Sequence, residues 1–96
     1  DVTASPASDM IGFTANLRLA RVKAEAGDAD GALALLAGNF PEAFKPQALE
    51  IKGDVLRRQG DLEGARAAYS AALEAMTDDQ FRQLIQMKMD DLVAAP

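Results

Sequence analysis

One eight-residue pattern occurs twice in the chain, and this repetition constrains the fold more than any other feature. The pattern reads G-D-x-[DE]-G-A-x-A, first from Gly27 and again, 33 residues later, from Gly60. In each copy the glycine can end one helix and an acid, Asp30 or Asp28 in the first copy, can begin the next, because glycine is favoured just past a helix C-terminus and aspartate at an N-cap. Apolar residues at three- and four-residue spacing flank both copies, which is the helical period. The sequence therefore predicts two helix–turn–helix units in tandem.

Tandem units with a period of about 33–34 residues are typical of tetratricopeptide (TPR) repeats. We expect an all-α fold of TPR-like antiparallel helical hairpins, with two repeats, a C-terminal capping helix and no strand. The expected divisions are a flexible lead-in at 1–8 and a single domain at 9–96, made of repeat 1 (9–44), repeat 2 (45–76) and the capping helix (77–93). The alternative is two unrelated hairpins in an alanine-rich protein, which the match of both glycines and both alanines disfavours.

Residues that favour helix ends predict where the first and last helices begin. Ser8 is the expected N-cap of the first helix. Thr77 is the expected N-cap of the last, because Thr77 and Gln80 form a capping box. Pro46 suits the first turn of the third helix.

Small residues predict where paired helices approach closely. Ala20 and Gly53 occupy equivalent places in the first helices of the repeats, and Ala32 and Ala65 in the second helices. Gly53 costs about 1 kcal/mol of helix propensity relative to alanine, so we expect it to contact the facing helix near Ala65. Leucine at position 53 would then overpack, whereas alanine would gain propensity.

Apolar residues at helical spacing predict one apolar face on the first helix and the inward face of the last helix. The expected face of the first helix consists of Ile11, Ala15, Leu19, Val22 and Ala26. The expected inward residues of the last helix are Phe81, Leu84, Ile85, Met89 and Leu92. Met76, Met87 and Met89 are interpreted as core residues, the alternative being a flexible client-binding surface. Phe40 and Phe44 are expected to fold back onto the core.

Residues that the chain lacks exclude several classes of site. With no cysteine and no histidine, it can form no disulfide, no zinc site of thiolates or imidazoles, and no Ser–His or Cys–His pair. Adjacent acids at Asp78–Asp79 and Asp90–Asp91 fit helix ends better than general acid–base work, because neighbours on a helix point in different directions. A net charge of −5 disfavours nucleic acid. We expect no enzyme, no cofactor, no metal and no nucleic-acid partner.

Three segments carry a resemblance to a known family. They are "ANLRLARV" (15–22), "GDLEGARAAY" (60–69) and "LIQMKMDDL" (84–92). Together they resemble the C-terminal half of the YfgM family, ancillary subunits of the SecYEG translocon in Gram-negative bacteria. The resemblance implies a TPR-like chaperone adaptor on the periplasmic side of the inner membrane. The implied partners are translocon subunits, a periplasmic prolyl isomerase or chaperone, and client chains. It also implies a membrane anchor upstream of Asp1, and no catalytic motif.

The candidate protein-binding residues come from the first helix of each repeat, which lines the concave surface of a TPR stack. They are Leu17, Arg21, Glu50, Asp54 and Arg57. In the functional interpretation, the arginines of these helices hold an acidic or carboxylate-bearing peptide; they are Arg18, Arg21, Arg57 and Arg58. In the alternative, the arginines pair with Glu25, Glu50 or Asp54, each pair contributing at most about 1 kcal/mol.

The repeats and the resemblance favour a non-enzymatic protein-interaction module. A TPR scaffold or regulator that is soluble and binds a signalling partner is the alternative. We also expect the chain to self-associate as a dimer, because part of the Ile11, Ala15, Leu19 and Val22 face lacks a partner. Two copies would cover this face or exchange a helix across Pro41–Pro46.

Overall fold

The computed structural model describes the backbone of residues 6–38 and 40–94 and the side chains of 12–38 and 40–92. Within these ranges the chain forms five α-helices and no strand, which confirms the all-α class. The helices are α1 (Pro6–Glu25), α2 (Ala29–Leu36), α3 (Lys45–Arg58), α4 (Leu62–Ala75) and α5 (Asp79–Ala94). α1 pairs with α2, α3 pairs with α4, and α5 packs on α4. None of the described helices combines the length and apolarity needed to cross a bilayer.

The first glycine of each repeated pattern ends a helix. Gly27 and Gly60 have φ angles of 90° and 88°, a left-handed conformation that glycine adopts without a Cβ penalty. In both copies the amide of the next residue bonds to a carbonyl of the helix that has just ended. Asp28 N–H donates to the Lys23 carbonyl at 2.8 Å, and Asp61 N–H donates to the Leu56 carbonyl at 2.9 Å. The predicted turns are therefore confirmed.

The acid and the second glycine of the pattern begin the next helix. The Gly31 amide donates to Asp28 Oδ1 at 3.0 Å, and the Gly64 amide donates to Asp61 Oδ1 at 2.9 Å. A Cβ at either glycine would collide with this carboxylate, so each pattern needs glycine there. The Gly31 hydrogen bond, with Lys23 nearby, lowers the pKa of Asp28. Both copies thus have the same physical explanation.

Small residues lie where the helices meet. Ala20, Ala32 and Ala65 are fully buried, as expected. Gly53 is also buried, but a Cβ on it would lie 2.5 Å from Cε1 and 2.7 Å from Cδ1 of Tyr69. The predicted close approach is confirmed, whereas its expected partner, Ala65, is wrong by one helical turn. A methyl group at position 53 would meet the Tyr69 ring, so a steric cost opposes the propensity gain expected for alanine.

The apolar face that the spacing identifies on α1 is not the face that packs against the rest of the described chain. The buried side chains of α1 are Leu17, Ala20 and Ala24, at spacings of three and four. Leu19 is 45% exposed and Val22 is 60% exposed, because Leu19 lies about 200° around the helix from Leu17. Ala15 and Ala26 are exposed as well, and the Ile11 side chain lies outside the described residues.

The start of α1 also differs from the prediction. The helix begins at Pro6, so Ser8 lies inside it and is not its cap. Proline suits the first helical position, where its missing N–H would have no partner in any case. Residues 6–8 of the expected lead-in are therefore helical, and residues 1–5 lie outside the described residues.

α5 departs from the prediction at its cap and on one face. Its cap is Asp78, whose Oδ1 accepts from the Gln80 amide at 3.3 Å, so the prediction of Thr77 is wrong by one residue. Ile85 and Leu92 are buried, but Leu84 is 43% exposed and is not inward. Met87 is 65% exposed, so its assignment to the core is wrong.

An aromatic cluster closes the α2–α3 connection over α1. Phe40 is buried, and its ring centroid lies 5.5 Å from that of Phe13. The Phe44 ring lies 5.7 Å from the same ring. The expectation that both phenylalanines fold back onto the core is confirmed, and they shape the cleft between α1 and α3.

Candidate functional site

A cluster of polar side chains connects α1 and α3 with α4 and α5. It consists of Arg21 on α1, Glu50 and Asp54 on α3, Tyr69 on α4 and Lys88 on α5. Arg21 Nη2 lies 3.3 Å from Glu50 Oε1, and Lys88 Nζ lies 2.8 Å from Glu50 Oε2. Asp54 Oδ2 lies 3.0 Å from Lys88 Nζ and 3.8 Å from Arg21 Nη1. Each carboxylate is therefore shared by two cations.

Glu50 is the most deeply buried charged member of this cluster. Its side chain is 6% exposed, against 46% for Arg21 and 23% for Lys88. Burying a carboxylate costs several kcal/mol unless cations and hydrogen bonds compensate for the lost water. Two cations against two carboxylates make the cluster formally neutral. Every buried side-chain nitrogen and oxygen among the described residues has a hydrogen-bond partner.

Tyr69 anchors the cluster to the core. Its side chain is completely buried, and its hydroxyl donates a hydrogen bond to Asp54. Burial, together with this bond to a carboxylate, raises the pKa of Tyr69, because both disfavour the phenolate. The Lys88 ammonium also lies 6.0 Å from the ring centroid, at the outer limit of a cation–π contact. The phenol is thus held as a neutral donor at neutral pH.

Beside the polar cluster lies a cleft between α1 and α3, with a volume of about 340 Å³. Leu17, Phe44 and Ile51 give it apolar walls, and the two arginines of α1, Arg18 and Arg21, lie along its edge. Thr14 and Gln47 complete the lining. The cleft combines apolar surface with guanidinium groups, which suits a segment carrying an apolar side chain and a carboxylate.

The predicted site residues fall into three different environments. Arg21, Glu50 and Asp54 meet in the polar cluster. Leu17 is buried at the wall of the cleft. Arg57 is exposed near the end of α3 and is not part of the cleft lining, although its charge acts on Tyr69 of the cluster. The pairing of Arg21 with Glu50 and Asp54 is the one that the alternative interpretation expected, whereas a binding role for these residues stays a prediction.

Sequence reasoning missed Tyr69 and Lys88 of the polar cluster, and it missed the cleft residues Thr14, Phe44, Gln47 and Ile51. Lys88 interrupts the apolar residues of α5, and that interruption was the available signal for an internal ion pair. Its partners lie 34 and 38 residues away, so their identity was not visible in the sequence. Phe44 and Gln47 at the cleft were equally hidden, because their position depends on how the α2–α3 connection folds.

Metal ligands are not grouped in the part of the chain that the structure describes. No three acidic side chains there are arranged to hold an ion. Arginine side chains instead satisfy helix ends: Arg58 Nη1 donates to the Ala24 carbonyl at 2.8 Å, and Arg82 donates to the carbonyls of Leu73 and Met76.

Comparison with known proteins agrees with this architecture. A family described as "Tetratricopeptide repeat-like domain" matches residues 1–94. The chain is also similar to the ancillary SecYEG translocon subunit of Escherichia coli (strain K12), with 34% identity over 77 residues. The matched region is 80% of this chain and 37% of that protein, so the chain spans well under half of the relative's length. No solved structure matches the chain significantly.

Proposed function

The chain belongs to the tetratricopeptide repeat-like domain family, and we propose that it is a non-enzymatic protein-interaction module that binds a partner segment in the α1–α3 cleft. The observation that carries this proposal is the cleft itself, in which Arg18 and Arg21 border apolar walls from Leu17 and Ile51. Repeat proteins use such surfaces, built from successive helices, to hold extended segments of other proteins.

Arg18 is the residue best placed to recognise a partner. It is exposed, it borders the cleft, and it forms no ion pair with any described side chain. Arg21 is about half exposed and already pairs with Glu50, so it contributes its remaining donors. A guanidinium group has five N–H donors in a fixed geometry, which favours carboxylates. The proposed ligand is therefore an acidic segment, or a chain terminus, with a neighbouring apolar side chain.

The volume of the cleft sets the scale of this interaction. At about 340 Å³ it lies at the lower end of the ~300–1,000 Å³ range of ligand pockets. A pocket of this size takes an anchoring side chain and leaves the rest of a partner to lie along α1 and α3. Specificity would come from the carboxylate, because the apolar walls alone discriminate weakly among apolar side chains.

The partner that we propose is a component of protein translocation. The similar Escherichia coli protein is named as an ancillary subunit of the SecYEG translocon. By extension we place this chain on the periplasmic side of a bacterial inner membrane. There it would act as an adaptor between translocon subunits and a periplasmic prolyl isomerase, a chaperone or client chains. Self-association as a dimer belongs to the same proposal, because Ala15, Leu19 and Val22 are exposed.

The test measures binding of the fluorescently labelled chain to purified Escherichia coli SecYEG in lipid nanodiscs. Arg18→Glu places a carboxylate at the cleft and should weaken binding at least tenfold. Arg66→Glu is the matched control, because Arg66 is exposed on α4, away from the cleft, and should bind like the unmodified chain. Circular dichroism confirms that both variants stay helical.

Two results would contradict the proposal in different ways. Equal weakening by both variants would show that general charge, and not the cleft, determines binding. A chain that does not bind SecYEG at all would exclude the translocon as the direct partner.

A further inference from the structure

The large apolar side chains that the described structure exposes lie on two helices at opposite ends of the helix order. Leu19 and Val22 are exposed on α1, and Leu84 and Met87 are exposed on α5. In a stack of repeats, exposed apolar residues mark helices that lack a neighbour, so this distribution indicates one uncovered stacking face on α1 and one on α5 in the described structure. We call the Ala15, Leu19 and Val22 surface the α1 face, and the Leu84 and Met87 surface the α5 face.

The repeat spacing identifies what the α1 face is built to contact. A shift of 33 residues carries Ala15 to Ala48 and Val22 to Val55. Ala48 and Val55 are both buried, and they belong to one core cluster with Ala20 of the preceding hairpin. The equivalent residues of α1 are exposed. Two of the three α1-face positions therefore correspond to positions that, one repeat later, pack against another helical unit, whereas the third, Leu19, corresponds to the exposed Lys52.

The α5 face follows from the same spacing. A shift of 34 residues carries Ile51 to Ile85, and both are buried. The same shift carries Gly53, which packs on Tyr69 of α4, to Met87. In the second repeat, the position equivalent to Met87 therefore faces a helix. Met87 itself is 65% exposed on α5. Both open faces are thus shaped to receive helices.

The charges around the two faces are opposite. Arg18 precedes Leu19 and lies one turn from Val22, so a cation borders the α1 face. Asp90 and Asp91 lie three and four residues beyond Met87, so carboxylates border the α5 face. The cations of α5 do not offset these carboxylates at the surface, because Lys88 pairs with α3 and Arg82 binds carbonyls at the end of α4.

We infer that the α1 face of one copy docks on the α5 face of a second copy. The contact buries Leu19 and Val22 against Leu84 and Met87, and brings Arg18 close to the Asp90 and Asp91 carboxylates of the other copy. A symmetric α1–α1 contact would instead place Arg18 against its own equivalent, and an α5–α5 contact would bring four aspartates together. Opposite charges therefore select the α1–α5 arrangement. It rests on the proposed self-association and specifies its contact; because the contact is heterologous, it gives a closed dimer only where two copies make it reciprocally, and otherwise extends to larger assemblies.

The absence of cysteine from the chain allows a direct test by disulfide trapping. Leu19→Cys and Met87→Cys are made in separate preparations, which carry different tags, and are mixed under mild oxidation. We expect the mixed disulfide to form at least tenfold faster than the Leu19→Cys homodimer. The control is Leu19→Cys mixed with Ala67→Cys, because Ala67 is exposed on α4, outside both faces. That pair should cross-link no faster than background.

The outcomes separate this contact from self-association in general. Preferential Leu19→Cys homodimers would keep self-association and overturn the α1–α5 contact. Sedimentation of the unmodified chain as a 10.2 kDa species at millimolar concentration would overturn both. Met87→Glu, which leaves the cleft intact, should weaken association at least tenfold. Unchanged association in this variant would also overturn the contact.

Discussion

For Gly53→Ala, the structure predicts a change in the free energy of unfolding opposite in sign to the change that helix propensity predicts. Propensity alone favours alanine by about 1 kcal/mol. The added methyl group, however, would lie 2.5, 2.7 and 2.8 Å from three ring atoms of Tyr69, well inside the ~3.5–4.0 Å optimum for carbon contacts. Tyr69 cannot move away easily, because it is completely buried and its hydroxyl is bound to Asp54.

Overpacking of a core typically costs about 1–3 kcal/mol, and contact with a rigid ring puts the cost in the upper part of that range, about 2–3 kcal/mol. After subtraction of the propensity gain, we expect Gly53→Ala to lower the free energy of unfolding by about 1–2 kcal/mol. At about 4–8 °C per kcal/mol for a domain of this size, the melting temperature should fall by about 5–15 °C. Thermal unfolding followed by circular dichroism measures this fall.

Gly12→Ala is the matched control, because a Cβ on Gly12 of α1 would meet nothing within 4 Å. It should stabilise the chain through propensity alone. In a Tyr69→Leu background the ring is absent, and Gly53→Ala should become neutral or stabilising. If Gly53→Ala raises the melting temperature as much as Gly12→Ala does, the close-contact argument is refuted.

Three further predictions concern the polar cluster and the helix caps. Burial and the bond to Asp54 raise the pKa of Tyr69. The neutral side chain therefore contributes its full stabilisation below the ordinary tyrosine pKa of about 10, and this contribution declines as the pH rises above that value. The ultraviolet absorbance of this single tyrosine should show phenolate forming only as the helices unfold. Lys88→Ala should cost about 1–3 kcal/mol in urea unfolding, because Glu50 loses a cation, whereas Lys45→Ala on the exposed Glu42 pair should cost less than about 1 kcal/mol. Asp61→Ala should cost about 1 kcal/mol by the same measurement, through loss of the α4 cap.

Each of these predictions has a contrary result. Phenolate formation near the ordinary tyrosine pKa in a folded chain would show that Tyr69 is accessible to solvent. Equal costs for the two lysine substitutions would show that the cluster contributes no more than a surface pair. A neutral Asp61→Ala would mean that water replaces the cap without loss.

The repeated pattern could be interpreted from sequence because its physics is local. Gly27 and Asp28 act on residues within one helical turn, and so do Gly60 and Asp61. The α-class and the two hairpins follow from these turns and from the helical spacing around them. The close approach at Gly53 was also predictable, because an interior glycine in a helix otherwise has only a cost.

The buried face of α1 could not be chosen from sequence because α1 carries two apolar stripes. Leu17, Ala20 and Ala24 face the core, and the small alanines allow neighbouring helices to approach closely. Leu19 and Val22 form the larger apolar stripe but lie outside. Periodicity identifies each stripe but does not show which neighbouring helix the stripe contacts. A face that packs against another repeat also resembles a core face in its apolar composition.

The polar cluster was predicted only in part. Arg21 pairs with Glu50 across 29 residues, and the repeat spacing suggested that the first helices would share a surface. The Lys88 contact depends on the angle at which α5 packs on α4, which no local pattern encodes. Long-range pairs of this kind are set by tertiary packing and become visible only in the folded chain.

The most direct test of the proposed function is amide hydrogen exchange of the chain, alone and bound to purified SecYEG. Exchange reports which backbone segments a partner protects. We predict slower amide exchange in the bound chain at residues 14–21 of α1 and at residues 44–51, which run from the N-cap of α3 into that helix. These segments line the cleft, and exchange in α2 should change little. Protection confined to α2 and the outer side of α4, with 14–21 and 44–51 unchanged, would contradict it.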